Sequence, residues 1–140
     1  MRHRGCVWLW LLIFCAMCSA AQRGAEETSP GEQFVGTWTG TWEGPEASSG
    51  GFELTLEKAK DGALGGRVSV TGEPEYKAAF KALSFEGRKM NARYDFPPDD
   101  RAEVHLTAMF DGNKVQGTWS LRDKASDTEV ARGGWTVSRK

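Results

Sequence analysis

From Phe34 onward, apolar and polar side chains alternate with a period of two, in one short segment after another. Alternation of this kind sends successive side chains to opposite faces of a strand, so one face can be buried while the other stays wet. In the first segment Phe34, Gly36, Trp38, Gly40 and Trp42 share a face, opposite Val35, Thr37, Thr39 and Thr41. The second sets Phe52, Leu54 and Leu56 against Glu53, Thr55 and Glu57. After an Asp61-Gly62 turn, Leu64, Gly66, Val68 and Val70 alternate with Gly65, Arg67 and Ser69. Three further segments have inward sets Met90-Ala92-Tyr94-Phe96, Val104-Leu106-Ala108-Phe110 and Val115-Gly117-Trp119-Leu121, and a last one carries Trp135 and Val137. The stretch Asp111-Gly112-Asn113-Lys114 between two of them is a hairpin turn signal.

One segment breaks the rhythm. Apolar residues at Tyr76, Ala79, Phe80 and Leu83 have helical spacing, yet Leu83 and Phe85 alternate with Ser84 and Glu86. The pattern predicts a strand from about Ala79 to Glu86, with a short helical turn over residues 76–83 as the alternative.

The sum is an all-β chain of eight antiparallel strands in up-and-down (meander) order. An open meander leaves two edges for aggregation, and closing it into a barrel removes them. Gly-Thr-Trp occurs at 36–38, 40–42 and 117–119, and closure explains it. Gly36 and Gly40 in the first strand, with Gly133 and Gly134 in the last, supply the bends that a small barrel needs. Tryptophan beside glycine fills the space left by the missing side chain.

The opening Phe34-Val35-Gly36-Thr37-Trp38 resembles the Gly-x-Trp first strand of the calycin superfamily: lipocalins, fatty-acid-binding proteins and avidins. Residues 34–140 are also similar to small exported bacterial barrel domains with Gly-Thr-Trp near each end, mostly of unknown function. The resemblance implies a lipocalin-like barrel whose open end receives a small, often apolar ligand. It carries over to Gly36 and Trp38. The arginine that packs on this tryptophan in lipocalins has two counterparts by position, Arg132 and Arg139. Two departures stand against it. Residues 45–51 make only a turn where fatty-acid-binding proteins place a helix pair, and the inward face has no arginine or tyrosine set to hold a carboxylate.

The residues before Phe34 read differently. Arg2, His3 and Arg4 precede the apolar run Val7–Met17, and Cys18-Ser19-Ala20-Ala21 follows with small residues. That is the layout of a secretory signal peptide over residues 1–21, cleaved after Ala20 or Ala21. A run of about 11 residues is too short for a membrane core that needs about 20, so no integral membrane segment is expected after cleavage. A lipoprotein signal wants a small residue before the cysteine, and Met17 precedes Cys18. Residues 22–33, polar with Pro30 and Gly31, read as a flexible leader to a single barrel domain at 34–140. The expected destination is the periplasm or the medium. Cys6, Cys15 and Cys18 all lie in the signal segment, so the mature chain offers neither disulfides nor thiolate chemistry and must rely on its core. About 105 residues suffice for one such core.

Composition narrows the partners. Without Arg2 and Arg4, 16 basic residues face 19 acidic ones, a net charge of 16 − 19 = −3. With no run of Lys or Arg, neither nucleic acid nor an anionic membrane is an expected partner, and the chain is expected to be a monomer. Catalytic and metal readings lack components. His105 is the one histidine of the mature chain, between Val104 and Leu106 on the polar face. No second histidine or cysteine completes a zinc set, and neither a nucleophile elbow nor a phosphate loop occurs. The acidic stretch Asp95, Asp99, Asp100 and Glu103 is either a weak calcium site or a solvated loop stiffened by Pro97 and Pro98. No cofactor, metal or catalytic residue is assigned.

The interior is where function is sought. An eight-stranded barrel is either just filled by side chains or roomy enough for one small ligand. Trp38, Trp42, Tyr94, Phe96, Phe110, Trp119 and Trp135 are the candidate ligand-binding residues, while Gly66, Ala92, Ala108 and Gly117 on the same face favour a void. Tyr94 is the only ionisable inward group, so a guest must be neutral or keep its charge at the mouth near Arg101 or Lys124. The leading expectation is a binding module for a neutral apolar or aromatic small molecule. The alternatives are an envelope interaction or inhibitor protein with a filled barrel, and a small barrel isomerase or cyclase.

Overall fold

The computed structural model describes residues 30–140. The expected signal peptide and most of the leader lie outside the described residues. Nine strands form one antiparallel up-and-down sheet: β1 (Gly36–Glu43), β2 (Ser49–Lys58), β3 (Leu64–Val70), β4 (Tyr76–Ala79), β5 (Ala82–Glu86), β6 (Lys89–Asp95), β7 (Ala102–Asp111), β8 (Lys114–Asp123) and β9 (Glu129–Arg139). Their lateral order is β4-β3-β2-β1-β9-β8-β7-β6-β5. The chain termini therefore meet in the middle of the sheet, where β1 pairs with β9 from Trp38↔Arg139 to Glu43↔Gly134. There is no α-helix among the described residues; two short 3-10 turns, Glu32–Phe34 and Pro45–Ala47, flank β1.

Two expectations are corrected. Phe34 lies in the first of those turns rather than in β1. The single strand expected at 79–86 is two strands, so the count is nine rather than eight, and residues 76–79 are extended rather than helical. The reason is a phase slip. Tyr76, Ala78 and Phe80 pack inward on even numbers, and Leu83 and Phe85 on odd ones. A strand cannot turn over its faces without a kink. It comes at Phe80-Lys81, where the chain changes partner between adjacent residues: Phe80 N–H donates to Gly66 O of β3, and Lys81 N–H to Arg93 O of β6. Mixed phase in one short segment is what imitated helical spacing.

The two edge strands, β4 and β5, are thus consecutive in sequence and share no ladder, and the curled sheet is a half-barrel. Its concave face holds the core: Trp38, Leu54, Leu56, Val68, Met90, Tyr94, Leu106, Phe110, Val115, Trp135 and Val137 are at most 2% exposed, and no charged side chain is buried among the described residues. The inward sets read from alternation are therefore the observed ones. The Asp111–Lys114 hairpin forms as expected, with Asp111 paired to Lys114 and Gly112 at φ 59°.

The sheet curls into a half-barrel rather than closing as expected, and glycine supplies its bends and close approaches, with one change of partner. Gly36 has φ 138°, a region that side chains rarely enter. A Cβ on Gly40 would stand 1.9 Å from Thr136 O, so β1 and β9 approach there as only glycine permits. The rings that fill glycine's space come from the strand opposite, not from the next residue. Trp135 lies over Gly117, its registered partner in β8, and Trp119 over Gly133 in β9.

Candidate functional site

The concave face has two ends. At the first, β1 begins and β5, β7 and β9 end. Phe34 comes down from its turn to meet Phe110 at 4.2 Å and Phe85 at 5.5 Å, and Trp38 meets Phe110 edge-on at 5.1 Å. The Trp38 indole N–H donates to Phe34 O at 3.0 Å. Of the two arginines, Arg139 is the one that lies over Trp38. Its guanidinium lies 4.3 Å above the Trp38 ring and donates to Val35 O and Gln33 O, both at 3.1 Å. Arg132 instead stands opposite Ser120 in the β8–β9 ladder.

At the other end the rings stand apart and line an open-mouthed cavity of about 210 Å³. Its walls are Trp42, Phe52, Tyr76, Tyr94, Phe96 and Trp119, backed by Val70, Val104 and Leu121. Ser48 and the exposed Glu73 and Pro74 complete the lining at the mouth. Of the seven residues expected to bind a ligand, Trp42, Tyr94, Phe96 and Trp119 converge here. Trp38 and Phe110 belong to the packed end, and Trp135 packs on Phe52 at 4.9 Å behind the wall.

Sequence reading missed Tyr76, Phe52 and the loop residues. The Tyr76-Ala78-Phe80 alternation carried the signal for Tyr76, masked by the phase slip that follows. Phe52 was read as inward but not as part of the site. Ser48, Glu73 and Pro74 come from turns, whose spatial neighbours no periodicity encodes.

The polar atoms of the cavity are nearly all committed. Trp42 donates its indole N–H to Thr71 O (2.9 Å) and Trp119 to Glu43 O (3.0 Å), each tying a wall ring to loop backbone. Ser48 Oγ donates to Pro45 O. Tyr76 and Tyr94 bond through their hydroxyls at 2.7 Å. Burial pushes both phenols above their ordinary ionisation range. For Tyr94 the neighbouring Tyr76 adds to the shift, and for Tyr76 the bond to Tyr94 offsets part of it. Both stay neutral, and the one charged side chain among the lining residues is Glu73, at the mouth.

The acidic stretch lies outside, on the convex face. Asp95 accepts from Lys81 (2.9 Å) and Lys124 (3.0 Å); Glu103 accepts from Lys81 and His105; Asp99 pairs with Arg101. Lys81, first, and then Lys124 hold Asp95 below its usual range, and Arg101 does so for Asp99. Asp95, Asp99 and Glu103 are all paired with cations, Lys81 being shared by Asp95 and Glu103, and no group of three metal-ligating side chains gathers among the described residues. His105 is a convex-face residue, as its place in the alternation implied.

No family model matches the chain, and no curated protein or solved structure matches it at a significant level.

Proposed function

We propose that this chain is an exported, lipocalin-like binding module whose guest is a neutral apolar or aromatic small molecule seated between Trp42, Tyr94, Phe96 and Trp119. The observation that carries the reading is the cavity of about 210 Å³ at one end of an interior whose other end is filled by aromatic rings. Protein cores seldom keep voids larger than a water molecule, and small-molecule sites are concave and mostly apolar. Arg139 over Trp38, behind a Gly-x-Trp first strand, supports the calycin-like part of the reading. The convex face exposes Met109 and Val130 as its large apolar residues, and they sit on different strands, which gives a protein partner little to grip.

Naphthalene titrated into the purified chain is expected to quench tryptophan emission and to shift the indole N–H resonances of Trp42 and Trp119 while leaving that of Trp38 in place. Succinate is expected to do neither, because a dianion would be desolvated without a partner. If no apolar probe binds, the binding reading falls and the interaction-protein reading takes its place. Export is tested by N-terminal sequencing of the mature protein: a start at Ala21 or Gln22 is expected, and an intact Met1 terminus overturns it.

A further inference from the structure

We infer that the guest carries one oxygen acceptor of the ketone, ester or ether type, held by the paired phenols of Tyr76 and Tyr94. The inference rests on the binding reading above and adds the polar contact that selects among neutral guests.

Hydrogen counting leads to it. Two phenols bring two protons, and their mutual bond at 2.7 Å uses one. The other has no acceptor among the hydrogen bonds of the described residues, although Tyr94 is 1% exposed and both rings line the cavity. Tyr76 is half-buried, so a guest that fills the cavity takes the spare donor away from water, and one that brings an acceptor is selected over one that does not. Competing donors are spent: the Trp42 and Trp119 indoles and Ser48 Oγ all donate to backbone carbonyls. The phenol pair is therefore the uncommitted side-chain donor on these walls among the described residues. A phenol that accepts one hydrogen bond is also a stronger donor in the next, which favours a chain ending on the guest's oxygen.

Charge and size fix the rest. Neither phenol ionises near neutrality, so the pair offers a donor rather than an anion for a cationic guest. Arg101 and Lys124, the cations once expected at the mouth, are paired with Asp99 and Asp95 and leave an anionic guest unmatched. An engineered apolar cavity of about 150 Å³ holds benzene. The present cavity of about 210 Å³ thus suits a ring bearing a short oxygen-containing substituent, or two fused rings.

The test compares acetophenone with α-methylstyrene, which has the same shape with a methylene in place of the carbonyl oxygen. Calorimetry gives both dissociation constants for the wild type and for the double variant Tyr76→Phe/Tyr94→Phe. Removing both hydroxyls together leaves neither one orphaned, so the variant should fold. The ratio of the two constants is expected to move toward the hydrocarbon by about tenfold in the variant, the net worth of one hydrogen bond. The carbonyl stretch of acetophenone bound to the wild type is expected below its position in hydrocarbon solvent, a reading that needs no variant. If both probes bind but the ratio does not move and the stretch is unshifted, the phenol anchor is overturned while the binding module stands. If neither probe nor naphthalene binds, both fall.

Discussion

At one end of the half-barrel Phe34, Trp38, Phe85 and Phe110 fill the concave face; at the other, Trp42, Tyr76, Phe96 and Trp119 stand around an empty space of about 210 Å³. Both ends are built from aromatic rings, and Trp38 and Trp42 come from the same strand, β1. What differs is how each ring is held. At the packed end the Glu32–Phe34 turn lays an additional ring across the interior, and the Trp38 indole bonds to that turn while Arg139 clamps it from above. At the cavity end the indoles are drawn outward to carbonyls of residues 43 and 71, and Trp42 and Trp119 cross at 80° with centroids 6.3 Å apart. Aromatic content does not decide whether a small barrel is filled. Here the two ends differ in the added Phe34 ring and in the direction in which each indole N–H finds its acceptor.

Substitutions that exchange the roles of the two ends test this contrast, and the largest effect belongs to the packed end. Trp38→Ala removes a fully buried ring and is expected to cost about 3–5 kcal/mol, as large aromatic truncations in cores do. Trp42→Ala is expected to cost about 1–2 kcal/mol less, because one face of its ring already borders a void. Denaturant melts of both variants decide, and equal losses would erase the distinction between the ends.

Arg139→Lys comes next. Lysine keeps the charge but cannot reach two carbonyls while lying flat on an indole. Arg139 donates two hydrogen bonds besides its ring contact, so a loss of about 1–2 kcal/mol is expected. The same melts report it. Binding of naphthalene at the opposite end should not change; a change would mean that the ends are coupled.

The smallest effect is the acid sensitivity of the cavity-end seam. Lys81, at the Phe80-Lys81 kink, bridges Asp95 and Glu103, and it is the chief reason the Glu103 carboxyl ionises below its ordinary range. A carboxylate whose folded value is depressed adds stability that is fully present above its ordinary value of 4.5 and is lost as the pH falls through the folded value. Glu103→Gln should therefore flatten the acid limb of stability below about pH 4.5, by under about 1 kcal/mol for so exposed a partner as Lys81. An unchanged acid limb would show that the seam contributes nothing.

Much of this was legible in the chain itself. Alternation is a local property: a strand with one buried face writes its inward set into every second residue. Leu54, Val68, Met90, Leu106, Phe110 and Trp135 could therefore be placed before any partner was known, and the Asp111–Lys114 turn carried its own signal. The candidate site was legible only in outline, as an interior without buried charge. Four of seven candidate residues meet at the cavity because parity tells which face a ring is on but not which end of that face it reaches.

Only the tertiary structure decided the rest. The partner change at Phe80-Lys81 makes nine strands of an expected eight, since a slip in parity shows a kink but not which strand each half will join. Arg139 rather than Arg132 reached Trp38 because the β1–β9 register, a pairing between the two ends of the described chain, sets it directly opposite. Tyr76 and Tyr94 are 18 residues apart and became a hydroxyl pair through β3 on one side and β7 on the other. Periodicity is fixed by neighbours in sequence, whereas a void and the donor within it depend on where side chains from distant strands converge.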